Sequence, residues 1–285
     1  MMQLSRALAL LVTIVIGATC AACAHDAHAP PGAGSRSSST GSSPVSAARD
    51  AVPPPPKVGQ CRNTPTSNLG QDDWVDRTPV VDCSKTHTLE TVAVIKPVEK
   101  LTLATARQLV ASCESPAVAY LGINSPEVRR IDDQVVYWPS RTQRAAGQNW
   151  LRCDAGVQAT TGCCGPLAPQ NGSLRGDVTS DPARFYVCIN QLPDPGREQP
   201  LTSCKKPHRA EILPTGLPWD VSKYPSAAAL SQKGREGCAT LVSARKDRGS
   251  VVVTPEWQSK ANWSGGTLYG WCWVHRHTGL LPPIR

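Results

Sequence analysis

The sequence predicts an α+β protein with two tandem homologous small modules, each a short antiparallel sheet with one covering helix, cross-linked by disulfides. The first observation is a phrase that occurs twice, at residues 79–90 and 200–211. Both copies follow the pattern P-x3-C-x-K-x-H-x2-E, which includes the rare residues Cys and His. The second observation is that four cysteines occur in the same order in each module. Together these repeats favour the duplication of one module.

The cysteine positions extend the repeat beyond the phrase. They are Cys61, Cys83, Cys113 and Cys153 in the first module, and Cys188, Cys204, Cys238 and Cys272 in the second. Because the first two cysteines of each module lie on adjacent predicted strands, we expect the pairs Cys61–Cys83, Cys113–Cys153, Cys188–Cys204 and Cys238–Cys272. Cys163 and Cys164 fall between the modules, and we expect them to pair with each other or within the connector.

The first module contains five predicted strands and one predicted helix. β-Branched and apolar residues predict strands at 58–62, 78–83, 89–95, 135–138 and 149–157. Apolar residues that recur every three or four positions predict a helix over 102–113 with one apolar face. Pro116 is expected to end this helix.

The second module repeats the plan. Strands are predicted at 185–189, 201–204, 210–213, 250–254 and 268–275, with a helix over 226–242.

The N-terminal region predicts export. Residues 1–22 place Arg6 before an apolar run and a few small residues, which is typical of a signal peptide. Cys23 follows two alanines, as at a lipoprotein lipidation site, although Cys20 replaces the usual Leu or Val. We therefore predict lipidation at Cys23. Plain secretion and an uncleaved anchor are the alternatives.

Composition predicts the domain organisation. Residues 23–57 are rich in Pro, Gly, Ser and Ala, with little to bury, and predict a disordered tether. The modules are assigned to residues 58–157 and 184–285. Residues 158–183 between them are rich in Gly, Pro, Thr and Asn and predict a connector. The many cysteines beyond the leader agree with export, because disulfides persist in oxidising compartments.

The cysteine order, the C-x3-H phrase and a tryptophan near the last cysteine of each module carry a family resemblance. These motifs resemble the septum-formation-related domain of actinobacterial envelope proteins, over residues 57–156 and 184–275. The resemblance implies an envelope protein and carries over no biochemical activity. The layout is also similar to that of the mycobacterial trehalose monomycolate transport factor, which would imply an accessory role in mycolate-lipid transport.

The repeated phrases raise the question of a metal site. The spacings of Cys83 to His87 and of Cys204 to His208 supply half of a zinc site. Neither module contains a C-x2-C or H-x3-H pattern for the other half, so we expect disulfides and no metal. We expect each histidine to cap the turn or to hydrogen-bond to the glutamate of its phrase. A pH-sensitive or ligand-contacting pair is the alternative.

Candidate contact residues occur in the second module. Alternation along the last strand places Trp271, Trp273 and His275 on one face, which could receive a sugar or a lipid headgroup. An ordinary strand core is the alternative. Lys205 and Lys206 are candidates for electrostatic contact in a chain of net charge +8. Because an exported protein does not meet nucleic acid, this charge favours an anionic envelope component or an acidic protein surface. A basic surface without a partner is the alternative.

The motif search favours contact over chemistry. The sequence contains no G-x-S-x-G, S-x-x-K or H-E-x-x-H motif and no phosphate-binding glycine loop, so we expect no enzyme and no cofactor. We predict a non-enzymatic binding or scaffold protein, tethered to the outer side of the cell membrane through its N-terminus. Its expected partner is an envelope membrane protein or an anionic envelope component. A carrier or sensor with a pocket between the modules, and an envelope enzyme, are the alternatives.

Overall fold

The computed structural model describes residues 52–65, 74–97, 99–123, 129–162, 165–194, 196–243, 245 and 247–284. The predicted signal peptide, the lipidation site at Cys23 and most of the predicted tether lie outside this range, as do Cys163 and Cys164. The end of the tether that is described contacts the first module, because the Pro53 carbonyl accepts hydrogen bonds from Gln143 and Gln148.

The first sheet and its helices, which we call the first half, are built from ten elements. Its strands are β1 Cys61–Arg62, β2 Val80–Val81, β3 Leu89–Ile95, β4 Ile131–Tyr137, β5 Leu151–Gln158 and β6 Leu167–Ala168. Its helices are α1 Leu103–Leu109, α2 Glu114–Leu121, α3 Arg141–Ala145 and α4 Asp177–Ser180.

The first sheet has the strand order β2-β1-β3-β5-β4, with β6 paired to β5, and every pairing is antiparallel. One face of β5 carries Leu151, Cys153, Ala155 and Val157, which pack in a core with Ala117 and Leu121 of α2. Leu174, Val178 and Phe185 belong to the same core. The chain therefore completes the first half only after passing through most of the predicted connector.

The second sheet and its helix, which we call the second half, contain seven elements. They are β7 Cys188–Ile189, β8 Leu201–Thr202, β9 Ala210–Ile212, β10 Leu217–Val221, α5 Ala227–Ser243, β11 Val251–Trp257 and β12 Gly266–Arg276.

In the second sheet, β9 and β10 pair with one edge of β12, and β11 pairs with its opposite edge. Beyond β9 follow β7 and then β8. The strands β9 and β10 pair with successive parts of β12, as β3 pairs with β5 in the first sheet. If β9 and β10 are counted as one interrupted strand that corresponds to β3, the equivalent strands of the two sheets follow one another in the same order. The α+β class with two antiparallel sheets is thus confirmed.

Two glycines let α5 lie close to its sheet. A side chain at Gly234 of α5 would collide with Pro255 and Trp257 of β11, and one at Gly270 of β12 would collide with the Trp257 ring. The Trp257 indole fills this space and donates to the Leu230 carbonyl of α5, 2.9 Å away. Small residues at these points therefore fix how the helix covers the sheet.

The prediction that Pro116 ends the helix of the first half is wrong. A 3-10 turn at Val110–Cys113 follows α1, and α2 begins at Glu114, so Pro116 lies in the first turn of a new helix. There its missing N–H has no intrahelical acceptor to lose. This helix ends instead at Gly122, which adopts the left-handed conformation with φ of 74°.

The strand predictions are correct at the longer strands and incomplete elsewhere. The range of β3 is as predicted, whereas β10, which contains Pro218 and Asp220, is absent from the prediction. Pro and Asp are disfavoured in strands, but β10 is an edge strand, where a missing N–H breaks no ladder. β6, α3 and α4 are also absent from the prediction.

The four module disulfides are present with the predicted pairings. Cys61–Cys83 and Cys188–Cys204 tie the start of each sheet to the turn after its second strand. Cys113–Cys153 and Cys238–Cys272 tie the helical layer to the strands β5 and β12. Disulfides of this number favour an extracytoplasmic location. Among the described residues, no helix is both long enough and apolar enough to cross a membrane.

A short backbone pairing joins the two halves. The Leu201 N–H donates to the Ala159 carbonyl, and the Thr161 N–H donates to the Gln199 carbonyl, at 2.8 Å in both cases.

Removing a disulfide between helix and sheet should destabilise the protein. The double change Cys238→Ala with Cys272→Ala opens a loop with a sequence separation of 34 residues. It should lower the free energy of unfolding by about 2–4 kcal/mol, because the unfolded chain is no longer restricted. Urea denaturation without reductant measures this change.

The matched control is Cys163→Ser with Cys164→Ser, in the predicted connector. This variant should keep the wild-type denaturation midpoint. Equal losses in the control and the test variant, or no loss in the test variant, would contradict the assignment of the stabilising cross-links to the modules.

Candidate functional site

The two repeated phrases fold into the same turn. Lys85 N–H donates to the Asp82 carbonyl, and Lys206 N–H donates to the Ser203 carbonyl. In each turn the histidine Nδ1 lies 2.8 Å from the carbonyl oxygen of the lysine two residues earlier. A carbonyl oxygen can only accept, so Nδ1 donates in both turns. The expectation that the histidines cap their turns is confirmed.

Both histidines are fully buried and bridge to a later segment. His87 exchanges backbone hydrogen bonds with Gln170, and His208 exchanges them with Leu281. Both side chains have no exposed surface. The repeated phrase therefore anchors the segment that follows the last strand in each half.

The two glutamates of the phrases have different partners. Glu211 lies 2.8 Å from His208 Nε2 and also binds Arg245, which in turn binds Asp247. Glu90 accepts hydrogen bonds from the Tyr120 and Ser173 hydroxyls and from the Leu174 N–H. The predicted histidine–glutamate bond is thus confirmed for His208 and Glu211.

The first half lacks this bond, and for His87 the other predicted role, the cap of the turn, is the one that is present. His87 Nε2 is buried without a hydrogen-bond partner. Burial raises the pKa of the Tyr120 hydroxyl, and the hydrogen bond to Glu90 raises it further. Tyr120 therefore stays protonated as a donor to the carboxylate.

The residues around each histidine resemble a metal site, but disulfide bonds occupy their cysteines. Cys61, His87 and Glu90 bring potential ligand atoms within 4.8 Å of one another, as do Cys188, His208 and Glu211. Both cysteines are bonded to another cysteine and offer no thiolate, the form that binds zinc. In this oxidised state the geometry gives little support to a zinc site.

The predicted contact residues of the last strand lie on one face, which we call the aromatic face. It consists of Thr254, Glu256, Trp271, Trp273 and His275. Glu256 Oε2 accepts hydrogen bonds from the Trp271 indole at 3.0 Å and from the Trp273 indole at 2.6 Å. Cys272 and Val274 point to the helix-facing core, as alternation requires.

Burial divides this face into a core part and an accessible part. Trp273 is only 2% exposed and packs in a cluster with Ile189 and Ile212, against which the partly buried Trp271 also packs. Trp271 and the three polar residues of the face are partly exposed. Direct contact with a partner is therefore open to Trp271 and much less so to Trp273.

The equivalent face of the first half carries ionic side chains, which we call the ionic cluster. Its members are Arg62, Asp76, Arg152 and Asp154. Arg152 lies 2.6 Å from Asp76 and 2.7 Å from Asp154, and its guanidinium stacks over the Tyr137 ring at 4.4 Å. Buried charges are tolerated when paired in this way.

Strand register shows that the two faces occupy matching positions. Ala155 pairs with Glu90, and Val274 pairs with Glu211. Counting back along β5 and β12 matches Asp154 with Trp273 and Arg152 with Trp271. At these matched positions the first half has paired charged side chains, and the second half has tryptophan side chains.

The two lysines of the second phrase lie away from the aromatic face. They belong to the turn after β8, the edge strand, and β7 and β9 separate that strand from β12. Both are exposed, and Lys205 forms an ion pair with Asp181. The structure therefore does not combine the predicted charged and aromatic contacts into one site.

Two cavities lie within the second half. The larger, about 440 Å³, is lined by the loop between β7 and β8, including Gln191, Asp194 and Arg197. The smaller, about 250 Å³, contains Glu211 and Arg245 in its wall. Neither of these two, as far as the described residues define them, is lined by a tryptophan. They do not match the alternative of a tryptophan-lined pocket between the modules.

Sequence reasoning missed Glu256, Arg245 and the whole ionic cluster. Alternation along the predicted strand at 149–157 would have placed Arg152 and Asp154 on one face. No local pattern indicates Asp76, which joins them from the segment before β2.

Comparison with known proteins gives one positive finding. A family model described as septum formation matches residues 58–272, well over half of the chain. No curated protein and no solved structure matches.

The ionic cluster should make the free energy of unfolding depend on pH. Burial alone raises the pKa of Asp76, but Arg152 and hydrogen bonds from Thr78 outweigh it and hold this pKa below its usual range. A carboxyl with a lowered folded-state pKa contributes stability above its unfolded pKa of about 3.9, and this is lost as pH falls through the folded pKa.

Asp76→Asn should therefore unfold more easily at pH 7 and lose less stability below about pH 4. The slope of the free energy of unfolding against pH should differ between wild type and variant by at most about 1.4 kcal/mol per pH unit, the value for one proton. Chemical denaturation between about pH 2 and about pH 7 measures this difference, with the exposed Asp220→Asn as control. Parallel curves for wild type and Asp76→Asn would contradict the prediction.

Proposed function

Because the chain belongs to the septum formation family, we propose that it is a membrane-tethered envelope protein that works by binding a partner rather than by catalysis. In this proposal its two halves are tandem copies of one module. The first copy serves as a closed platform, and the second presents the aromatic face to an envelope membrane protein or an anionic envelope component.

Matching bonds in the two halves support the tandem origin. Arg209 N–H donates to the Ile189 carbonyl, as Thr88 N–H donates to the Arg62 carbonyl. Each half has one disulfide at the start of its sheet and one between helix and sheet. Shared cross-links and shared backbone bonds at matched positions favour duplication over independent origin.

The state of the buried carboxylates favours binding over catalysis. Glu90 and Glu211 are 1% and 4% exposed, and their oxygens are engaged by donors from the protein itself. A catalytic carboxylate needs access to a substrate proton. These groups are better suited to fixing the fold.

The aromatic face carries the proposal of a contact surface. Trp271 combines an apolar ring with an indole N–H that Glu256 already orients, so its position is set before a partner arrives. Tryptophan residues of this kind often contribute much of the energy of an interface. Thr254 and His275 beside it, 3.5 Å apart, supply polar groups at the rim.

The tether would keep this surface near the membrane. The predicted lipid anchor at Cys23 and the predicted flexible segment after it would raise the local concentration of the head near membrane partners. The disulfides agree with a position outside the cytoplasm.

Trp271→Ala should weaken recovery of the envelope partner at least about fivefold, a loss of about 1 kcal/mol or more, without unfolding the head. The head is immobilised, detergent-solubilised envelope from the source cells is passed over it, and bound protein is identified and quantified. Trp263→Ala, in the turn between β11 and β12, is the matched control and should retain the partner.

Thermal unfolding of both variants verifies that they remain folded. Equal recovery by wild type and Trp271→Ala would contradict the contact role of the aromatic face. Turnover of an envelope substrate by the soluble head, abolished by one point change, would replace the binding function with an enzymatic one.

A further inference from the structure

Two loops of the second half meet at one end of its sheet, and we call them together the tip. The tip consists of residues 222–226, which follow β10, and residues 258–265, which join β11 to β12. Both loops lie at the same end because Val221, the last residue of β10, pairs with Gly266, the first residue of β12. The tip is therefore a single surface built from two segments that are far apart in sequence.

Two aromatic rings join the loops of the tip. The ring centroids of Tyr224 and Trp263 lie 5.8 Å apart, with the ring planes tilted by 57°. The Tyr224 hydroxyl donates to the Gln258 carbonyl at 2.7 Å, and the Trp263 indole N–H donates to the Gly266 carbonyl at 3.4 Å. Both rings remain partly exposed. Their positions are therefore fixed within the protein while part of each ring stays accessible.

The charge of the tip is positive. Lys223 and Lys260, one on each loop, are exposed, and neither loop contains an aspartate or a glutamate. The acids that flank the loops are engaged by donors of the protein. Asp220 accepts a hydrogen bond from the Thr267 hydroxyl, and Glu256 accepts from the indoles of the aromatic face. The tip thus places two lysines beside two aromatic rings.

We propose that the tip binds the anionic lipid headgroups of the membrane surface. Tyr224 and Trp263 enter the headgroup layer, where rings with one polar end are favoured. Lys223 and Lys260 lie against the lipid phosphates, whose negative potential attracts them. This inference rests on the membrane-tethered location in the proposed function, but it does not depend on the role of the aromatic face.

The shape of the second half supports a lipid surface over a small soluble anion. Neither of the two cavities described above is lined by a residue of the tip. Charges spread over two loops suit a layer of headgroups better than one bound molecule. Trp271 lies five residues beyond Gly266 along β12, which is about 17 Å of extended strand. A tip that rests on the membrane therefore leaves the aromatic face open to a protein beside it.

Sedimentation with protein-free vesicles tests the proposal. The chain from residue 52 onward is used, because the predicted signal peptide would itself bind lipid. Vesicles of phosphatidylcholine with phosphatidylglycerol should bind it at least about tenfold more tightly than vesicles of phosphatidylcholine alone, since each lysine at an anionic surface contributes about fivefold. Equal binding to the two kinds of vesicle, or no binding to either, would overturn the proposal.

Two paired changes locate the charge. Lys223→Gln with Lys260→Gln should weaken binding to the anionic vesicles at least about tenfold. Lys96→Gln with Lys100→Gln removes the same charge from two exposed positions of the first half and should change binding by less than about twofold, because salt screens distant charges. Equal losses in both variants would mean that net charge alone attracts the protein, and would overturn the assignment to the tip.

Trp263→Ala tests the aromatic part of the tip. It should weaken vesicle binding at least about fivefold, because its ring no longer enters the headgroup layer. The same variant should still recover the partner of the aromatic face from detergent extracts, where no bilayer is present. Vesicle binding and partner recovery can therefore fail separately, so the failure of this inference is distinct from that of the proposed function.

Amide hydrogen exchange and a soluble competitor complete the test. Vesicles should slow exchange at residues 222–226 and 258–265, and protection confined to other segments would contradict the proposal. Free glycerol phosphate should not release the protein from vesicles more than sodium chloride does at equal ionic strength. Selective release would show that the tip binds a soluble phosphate compound instead of a lipid surface.

Discussion

A buried carboxylate on the strand after each repeated turn is the constraint on which both halves depend. A buried charge is unfavourable unless donors surround it, so Glu90 and Glu211 each require several partners. All of those partners except His208, which is three residues from Glu211, come from elements far away in sequence. In the first half they are Tyr120, Ser173 and Leu174, and in the second they are His208 and Arg245. The choice of donors therefore determines which segments close each half.

The same frame carries two different surfaces. Disulfides at equivalent points fix the sheets, so the side chains on the face that carries the ionic cluster or the aromatic face can change without altering the strand order. In the first half Arg152 and Asp154 neutralise each other and Asp76. In the second, Trp271 and Trp273 share Glu256 and leave an amphipathic surface. On the proposed function, this difference separates the roles of the halves, with the first half contributing stability and the second contributing contact.

Features that depend on local pattern could be predicted from the sequence. The cysteine order indicated the disulfides because it recurs in both modules, and β-branched runs located β3 because that signal lies within one segment. Features that arise from distant partners could not be predicted. β10 contains Pro218 and exists because β12 extends far enough to pair with it. Asp76 joins Arg152 across 76 residues of sequence, a contact that no periodicity encodes.

Photo-crosslinking in living cells tests the central claim, that the aromatic face is the surface through which the protein meets its envelope partner. Benzoylphenylalanine is placed at Thr254, which pairs with Trp273 across the strands on this face, or at Ala239, which is exposed on α5 on the opposite side of the sheet. The account predicts a crosslinked membrane partner from position 254 and none from position 239. A partner crosslinked from position 239 alone would contradict it.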